Sequence, residues 1–536
     1  MSQSEREQVS RRALLAGAGA VAGGVLGAGM GGGPAVAAEP AAVRIGPADR
    51  RYDSLLRGNN FRFAGRPDEI RVVGSTDQVV RAVTDAVRAG RRVAARSGGH
   101  CFENFTADPR VRTLLDMSPM DDVGYDPAMR AFVVRPGATL GRVYKALFKG
   151  WGVTIPGGGC PGVGAGGHFA GGGYGPLSRR YGSVVDHLHA VEVVVADRAG
   201  AARAVVATRD PGDPNHDLWW AHTGGGGGNF GVVTRYWLRT PGATGDPSRL
   251  LPPAPRNMLE CVSAWAWEGM TEAAFTTLVR NFGTWHERNS APGAPGTGVY
   301  GIFLLMHRST GYFSLVAQID ADLPDADRLG TEFLAAVNAG SGVEPVFTGR
   351  STMPWLHKLT WPGTGEPGDA ANRRYKIKAG YFRRAPADRQ LAAFYRHLTD
   401  PAAGEGAGML LLGYGGQVNT VPPAATAVAQ RGTVMKAIYQ SIWADEANDA
   451  TNLDWVRRFY RDVYAATGGV PVPGDIDDGS YINYPDVDLA DPAWNTSGVP
   501  ASTLYYKDNY PRLQRLKARW DPRGVFGHAL SVEPAR

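Results

Sequence analysis

Two nucleophilic side chains stand on glycine-rich turns of this chain. His100 ends the run Arg96-Ser97-Gly98-Gly99-His100, and Cys160 follows three successive glycines. Imidazole and thiolate groups are the readily alkylated nucleophiles of a protein. Glycines let the backbone turn sharply beside a ligand and leave the next side chain projecting. The sequence therefore predicts a ligand-binding loop around each of these two residues.

More glycines follow these two turns. They crowd residues 156–175, and residues 224–228 are all glycine. Backbone amides in such loops can approach a flat ring or a pyrophosphate, which side chains would keep away. The run at 224–228 leads at once into the apolar residues 230–233, which is not typical of a flexible linker. We therefore predict a phosphate-bearing cofactor, with this run held against another part of the protein.

Residues 162–167 match the dinucleotide fingerprint G-x-G-x-x-G, but their context does not fit it. That fingerprint needs a strand that runs directly into its first glycine. Here residues 157–161 intervene after a predicted strand over 152–155. Such a dense run of glycines also produces the pattern by chance. A nicotinamide-binding fold is therefore not expected.

The elements that must position these loops alternate between β-branched runs and amphipathic segments. Residues 70–73 predict a strand, and Ser75 is expected to cap a helix over 78–89, where valines recur at helical spacing. Residues 92–95 predict the strand that delivers the chain to His100. Further strands are predicted over residues 191–195, 230–233, 300–306, 312–316, 410–414 and 437–443, and a loop over 362–368.

The cysteines and histidines give little support to other kinds of site. Three cysteines are too few, and odd in number, for a disulfide framework, and Cys261 is expected to be a buried, inert thiol. Asp186, His187 and His189 form a group that could suggest a metal site. No glutamate or cysteine with metal-ligand spacing accompanies them, so no metal is predicted.

The first forty residues are typical of an export signal. Ser10-Arg11-Arg12-Ala13-Leu14-Leu15 opens a long stretch without charge, and Ala35-Val36-Ala37 supplies small residues for cleavage. Paired arginines before a weakly apolar segment favour a twin-arginine signal over residues 1–38. The alternative is a retained membrane anchor, but so many glycines and alanines make a poor spanning helix. We therefore expect a protein secreted by the twin-arginine machinery, without stable membrane association once the signal is removed.

The composition of the chain limits the classes of protein to which it can belong. The chain has 536 residues, 43% of them hydrophobic and 20% charged, which is typical of a folded protein with more than one domain. The net charge of +6 is scattered along the chain rather than gathered in a basic stripe. Nucleic acid binding is therefore not implied.

The loops and three C-terminal motifs, taken in order, resemble the berberine bridge enzyme-like branch of the FAD-linked oxidases, which are flavoproteins of the vanillyl-alcohol-oxidase or PCMH type. Residues 96–100 resemble the histidyl-flavin loop of that family, residues 159–175 its cysteinyl-flavin loop, and residues 224–233 a cofactor-binding turn. The C-terminal motifs are residues 481–486, 505–513 and 520–526. The likeness covers almost all of the chain that follows the signal.

The resemblance implies an α+β fold with a PCMH-type FAD-binding domain over residues 62–242. It also implies a substrate domain over 243–475, with an antiparallel sheet flanked by helices, and a segment over 476–536 that returns to the FAD domain. One FAD is expected to be bound through two covalent bonds, from His100 to the flavin 8α carbon and from the sulfur of Cys160 to ring carbon 6.

Two residues depart from the family pattern. Cys101 stands where a serine is common, and Gln430 stands where many members have a histidine. Neither position is one of the two predicted linkage residues.

The resemblance also implies roles for residues around the cofactor. His168 is expected near the N1 and C2 carbonyl edge of the flavin as a donor, with a core histidine as the alternative. Val163 matches a position where a small side chain gives oxygen access to the flavin, which favours an oxidase. The other residues expected to line the cofactor are Arg96, Ser97, Gly98, Gly99, Gly159, Gly164, Gly167, Gly173, Asn229, Phe230, Gly231 and Asn483.

Catalysis by such an enzyme requires removal of a hydroxyl proton while the adjacent carbon gives a hydride to FAD. The resemblance makes Tyr484 the first candidate for the base, with Tyr481 and Tyr414 as alternatives, and packing is the alternative role of each tyrosine. We expect oxidation of an alcohol or sugar carbon, with O2 as the acceptor and hydrogen peroxide as a product. The alternatives are oxidative cyclisation or desaturation of a secondary metabolite, and a flavin-binding protein without turnover. The identity of the substrate stays open.

Overall fold

The computed structural model describes residues 41–360 and 373–535. The predicted signal and the predicted loop over 362–368 lie outside these ranges. The chain from Ala42 onward belongs to one compact unit. Within the described ranges, no helix has both the length and the apolar character needed to cross a membrane.

The first sheet carries the loop of His100. Its strands, in the order β1-β2-β4-β3, are β1 (Val43–Ile45), β2 (Glu69–Val72), β3 (Arg92–Arg96) and β4 (Val111–Asp116). Helix α1 (Thr76–Arg88) begins after Ser75, whose hydroxyl accepts a hydrogen bond from the backbone of Gln78 at 3.2 Å. Strand β3 runs parallel to β4 and ends at Arg96, so the chain leaves the sheet at the predicted loop. The predicted cap, helix and strands of this region are confirmed.

The second sheet is antiparallel and lies next in the chain. Its strands, in the order β5-β6-β9-β7-β8, are β5 (Val123–Asp126), β6 (Ala131–Val134), β7 (Leu188–Ala196), β8 (Ala202–Thr208) and β9 (Val232–Leu238). The helices of this region are α2 (Leu140–Trp151), α3 (Ala165–Ala170), α4 (Ser178–Tyr181) and α5 (His216–Ala221).

The strand predicted over residues 152–155 is wrong. Gly152 ends α2 in the left-handed region, at φ 70°, and Val153 makes only an isolated bridge to Pro253. Because Pro156 follows closely and lacks a backbone donor, the extended segment is too short to join a sheet.

The third sheet has seven antiparallel strands, as the predicted α+β fold requires. In the order β13-β10-β12-β11-β15-β16-β14, they are β10 (Asn257–Ala266), β11 (Val299–Met306), β12 (Tyr312–Asp320), β13 (Phe347–Pro354), β14 (Arg374–Phe382), β15 (Gly408–Gly413) and β16 (Met435–Trp443). The helices of this region are α6 (Glu272–Arg288), α7 (Ala326–Asn338), α8 (Trp355–Thr360), α9 (Asp388–Leu398) and α10 (Asp449–Val463).

The two faces of this sheet are buried in different ways. Alternate side chains of a strand point to opposite faces. On β16, Ala437 and Tyr439 join the main core, which contains the apolar faces of the helices. Ile438, between them, belongs to a separate cluster of buried side chains that is rich in tyrosine. That second cluster contains Tyr414 and Tyr481, two of the predicted catalytic residues.

The C-terminal segment adds helices α11 (Ala501–Tyr506) and α12 (Tyr510–Trp520) and then reaches the first sheet. Phe526 forms a parallel bridge with Val93 of β3. Nζ of Lys517, on α12, donates a hydrogen bond to the backbone oxygen of Asn229 at 2.6 Å. The C-terminal segment therefore holds both the first sheet and the turn after the five-glycine run.

Candidate active site

The two predicted linkage loops lie against each other. A Cβ placed on Gly164 would stand 2.0 Å from Oγ of Ser97 and 2.2 Å from the backbone nitrogen of Gly98. A Cβ placed on Gly162 would stand 3.2 Å from Nε2 of His100. Such close approach is possible only because Gly162 and Gly164 of the second loop lack side chains. The glycines thus bring the loop of His100 beside the loop of Cys160.

Side chains of the first loop serve to hold its turn. Nη2 of Arg96 lies 2.8 Å from Oδ2 of Asp116, and its Nη1 donates a hydrogen bond to the backbone oxygen of Arg57. The hydroxyl of Ser97 donates a hydrogen bond to the backbone oxygen of Pro136 at 2.5 Å. Arg96 and Ser97 are therefore engaged with the protein, and the half-buried His100 follows them.

The second loop leaves open space beside Cys160, which is half-buried. A Cβ at Gly159 or at Gly167 would meet no atom within 4 Å. Val163 is also half-buried, and its backbone oxygen accepts a hydrogen bond from Leu140 at 2.8 Å. A flat cofactor can approach the backbone where no side chain intervenes. The residues around Cys160 therefore fit the ring of an FAD.

His168 is held as a neutral imidazole. The backbone amide of Gly158 donates a hydrogen bond to Nε2 of His168 at 3.1 Å, which leaves the ring proton on Nδ1. Burial lowers the pKa of His168 to about 4, and the nearby Lys436 adds to the effect. Any donation from His168 to a ligand must therefore come from Nδ1.

The five-glycine run is fixed by contacts, as the sequence predicted. Nδ2 of Asn229 donates a hydrogen bond to the backbone oxygen of Gly225 at 2.9 Å, and Oδ1 of Asn229 accepts one from Val532 at 3.0 Å. Phe230 is buried, and Gly231, at φ 149°, leaves no room for a Cβ beside Val194. This turn is therefore held against the C-terminal segment and strand β7.

The predicted catalytic tyrosines meet beside these loops. The hydroxyls of Tyr174 and Tyr484 lie 2.7 Å apart. The hydroxyl of Tyr481 accepts hydrogen bonds from the backbone of Gly173 at 2.9 Å and from Nδ2 of Asn483 at 3.0 Å. Asn483 also donates to the backbone oxygen of His168 at 2.9 Å, so the Tyr484 segment is tied to the second loop. The sequence did not indicate Tyr174, although a large polar side chain between glycines was a signal.

Lys436 is the second residue that sequence reasoning missed. Its Nζ lies 3.1 Å from the centre of the Tyr174 ring and 4.0 Å from that of Tyr481. The Tyr414 and Tyr381 rings lie 4.2 Å and 4.7 Å from the same nitrogen. Nζ forms no hydrogen bond within the described part of the chain, and the residue is 2% exposed. A lysine inside the apolar strand β16 was the available signal.

Burial shifts the pKa values of Lys436 and Tyr484 in opposite directions. It lowers the pKa of Lys436 well below the ordinary value, and the charge of Arg431 lowers it further. It raises the pKa of Tyr484 well above the ordinary value, although the bond with Tyr174 opposes the rise. Both shifts favour the uncharged forms, so Lys436 is held as a neutral amine and Tyr484 as a neutral phenol. The neutral amine of Lys436 is therefore a buried group that can take up a proton released within the cluster.

The histidine group considered as a metal site has other partners. Oδ1 of Asp186 lies 2.8 Å from Nη2 of Arg431. His187 makes hydrogen bonds with Thr240 and with the backbone of Tyr181. In the two described ranges, no three His, Cys, Asp or Glu side chains are grouped so that they could hold a metal ion.

Comparisons with known proteins agree with this site. Residues 67–198 match the family model of an FAD binding domain, and residues 480–533 match the model described as berberine and berberine like. Aclacinomycin-N/aclacinomycin-A oxidase of Streptomyces galilaeus is 55% identical over 504 residues, which are 94% of this chain and 92% of that protein. Hexose oxidase of Chondrus crispus is 31% identical over 531 residues, which are 90% and 93% of the two chains.

A solved structure shows the same fold. The glycopeptide hexose oxidase complexed with teicoplanin superposes with a TM-score of 0.88 at 51% identity, over 92% of this chain and 99% of that one. The predicted fold, the predicted FAD and the predicted class of enzyme are thereby confirmed. The chain belongs to the berberine bridge enzyme-like family of FAD-linked oxidases.

Proposed function

We propose that the protein oxidises a hydroxyl-bearing carbon of a sugar or alcohol. Bound FAD would supply the chemistry of hydride acceptance and of electron transfer to O2, with hydrogen peroxide as a product. The observation that carries the proposal is the contact between the Tyr174 and Tyr484 hydroxyls, with Lys436 against the Tyr174 ring. The names of the two oxidases aligned above support the same class of reaction.

His100 and Cys160 are the residues that would hold the cofactor covalently, at the 8α carbon and at ring carbon 6. Three observations support the assignment: the two loops touch, both side chains are half-buried, and open space adjoins Gly159. Imidazole and thiolate are nucleophilic enough to form such bonds. Two bonds would keep the cofactor in place outside the cell.

Tyr484 is the proposed base. The other candidate, Tyr481, already accepts two hydrogen bonds that fix it as part of the scaffold. The hydroxyl of Tyr414 faces Ser183 at 3.5 Å. Tyr484 pairs with Tyr174 alone among the bonds described for its hydroxyl. Because Tyr484 is held as a neutral phenol, it would take the substrate proton as its own proton passes to Tyr174, with the neutral amine of Lys436 as the final acceptor.

The substrate that we favour is a sugar unit carried by a secondary metabolite. The glycopeptide hexose oxidase was solved with teicoplanin, and the relative at 55% identity is named for oxidation of aclacinomycins. Both chains are covered almost completely by this one. Oxidative cyclisation, the alternative considered above, is supported less by the comparisons, because the berberine bridge enzyme-like 18 of Arabidopsis thaliana is 26% identical, against 55% and 31% for the two oxidases.

Export by the twin-arginine machinery remains part of the proposal. Its support is the pair Arg11 and Arg12 before a charge-free stretch. A secreted, twin-arginine substrate would fold around FAD before it leaves the cytoplasm. The test is fractionation of the producing cells: replacing both arginines by lysine should retain the flavoprotein inside.

The reaction is tested with purified holoenzyme and a panel of free sugars, simple alcohols and glycosylated natural products. Hydrogen peroxide is measured by a coupled peroxidase assay, and flavin bleaching is followed without oxygen. We expect glycosylated compounds to bleach the flavin and to yield peroxide on readmission of air. Bleaching without peroxide would refute the oxidase, and no bleaching by any hydroxylated compound would refute the proposed reaction.

A further inference from the structure

A buried cluster of charged side chains lies behind the Tyr484 loop, separate from the tyrosines that surround Lys436. Nζ of Lys376 lies 2.5 Å from Oε1 of Glu103 and 2.7 Å from Oδ1 of Asp486. Nζ of Lys378 lies 2.5 Å from Oδ2 of Asp486 and 2.9 Å from Oδ2 of Asp488. These five side chains are at most 3% exposed. Their charges are therefore weakly screened by water.

The carboxylates of this cluster come from the two loops that must cooperate in the reaction. Glu103 lies three residues after His100, and Asp486 lies two residues after Tyr484. Phe102, next to Glu103, stacks on the ring of Tyr484 with the ring centres 5.3 Å apart and the planes at 14°. The proposed base and the proposed attachment loop are thus in direct contact in front of the cluster.

Lys376 contacts the loop of His100 and the loop of Tyr484, whereas Lys378 contacts only the loop of Tyr484 among these two. The carboxylates near Lys378, those of Asp486 and Asp488, both belong to the Tyr484 loop. Arg457 also holds Asp488, with its Nη2 2.9 Å from Oδ1. Burial alone would lower the pKa of Lys376, but the nearby carboxylates outweigh it and raise that pKa above the ordinary value. Lys376 therefore stays charged throughout the range in which an enzyme works.

We infer that Lys376 is a positioning residue that sets Tyr484 relative to the loop of His100. The inference rests on the proposed function, in which Tyr484 takes the substrate proton and His100 holds FAD. Proton and hydride transfer need the reacting groups in a narrow range of distances, and a misplacement of about 1 Å costs about 100-fold in rate. Without the ammonium of Lys376, the carboxylates of Glu103 and Asp486 would repel each other across the two loops, so its charge holds the loops together.

The test compares K376M, K376R and K378M as holoenzymes with full flavin content. We expect K376M to lower the rate constant of anaerobic flavin reduction about 10- to 100-fold, with substrate affinity changed less than about 3-fold, and K376R to restore most of the rate. In K378M, Asp486 still pairs with Lys376, and Asp488 still pairs with Arg457. The rate constant of flavin reduction in K378M should therefore stay within about 3-fold of wild type. A wild-type rate in K376M, or equal losses in K376M and K378M, would overturn the inference.

A double variant separates this inference from the proposed function. If Lys376 acts through Tyr484, adding K376M to Y484F should slow reduction by less than about 3-fold further. A wild-type rate in Y484F would refute the base, whereas a full additional loss in the double variant would refute only the positioning role. Should K376M fail to fold, E103Q weakens the same bridge from its other end. An unchanged reduction rate in E103Q then overturns the inference.

Discussion

Nζ of Lys436 lies 3.1 Å from the centre of the Tyr174 ring, in a cluster where no carboxylate pairs with it within the described residues. A desolvated contact between an ammonium and an aromatic ring is worth about 2 kcal/mol or more. That is less than full hydration of the charge, so the amine is held neutral and is available to accept a proton. This relationship leads to the first two predictions.

Replacing Tyr484 by phenylalanine should leave the flavin covalently bound and slow its anaerobic reduction by about 100- to 10,000-fold, the usual contribution of a general base. Stopped-flow absorbance of the flavin measures the rate. Tyr312 is 60% exposed, so Y312F is a control that should reduce at the wild-type rate. Reduction of Y484F at that same rate removes Tyr484 from the mechanism.

The K436M variant should reduce its flavin about 100-fold more slowly, because the proton acceptor behind Tyr174 is lost. It should also change how stability depends on pH. Since the pKa of Lys436 is lowered on folding, the unfolded chain binds more protons below about pH 10.4, and wild-type stability rises with pH through this group. The free energy of unfolding of wild type should thus increase relative to that of K436M as the pH rises from 6 to 9. A constant difference would contradict a lowered pKa.

His168 should make the protein sensitive to acid. Its pKa is lowered from 6.5 to about 4, so the stability that it contributes is present above pH 6.5 and is lost as the pH falls through 4. The protonated ring can no longer accept the hydrogen bond from Gly158. Between pH 7 and pH 4, the free energy of unfolding of wild type should fall by up to about 3 kcal/mol more than that of H168Q. The amide oxygen of the glutamine can still accept the hydrogen bond at the lower pH. Equal decreases in the free energy of unfolding of wild type and H168Q, measured by urea unfolding, would show that His168 does not titrate as described.

Two glycines of the second loop should respond differently to alanine. In G164A the new Cβ would stand 2.0 Å from Ser97, so the loops must separate, at a cost of about 3 kcal/mol or more. In G167A the Cβ meets no protein atom within 4 Å. The free energy of unfolding of the G167A apoprotein should therefore lie within about 1 kcal/mol of the wild-type value. Thermal unfolding of the two apoproteins measures this. Similar destabilisation of both variants would show that the loops do not touch as described.

Covalent attachment is checked by precipitation in acid. H100A and C160A should each keep the yellow colour in the pellet through the remaining bond, and the double variant should release it to the supernatant. The two single variants should differ in absorbance spectrum, because one bond is to the 8α carbon and the other to the ring. Colour in the supernatant of the wild-type protein would disprove both bonds.

The sequence by itself was sufficient for features that depend on near neighbours. The cap at Ser75, the helix and strand that follow it, and four of the seven strands of the third sheet were predictable, because capping and side-chain periodicity are local properties. The glycines around Cys160 also pointed to a cofactor without any tertiary information. The strand predicted over 152–155 failed because the φ of Gly152 and the following Pro156 restrict the backbone there.

Only the tertiary structure decided which side chains act together. Tyr174, Lys436 and Tyr484 are separated by long stretches of chain, and they meet because the third sheet and the C-terminal segment both close on the glycine loop. The bridge from Lys376 to Glu103 and Asp486 likewise joins three distant segments. A lysine in a strand has no special meaning until its burial is known, because burial is what shifts its pKa and leaves its charge dependent on a few neighbours.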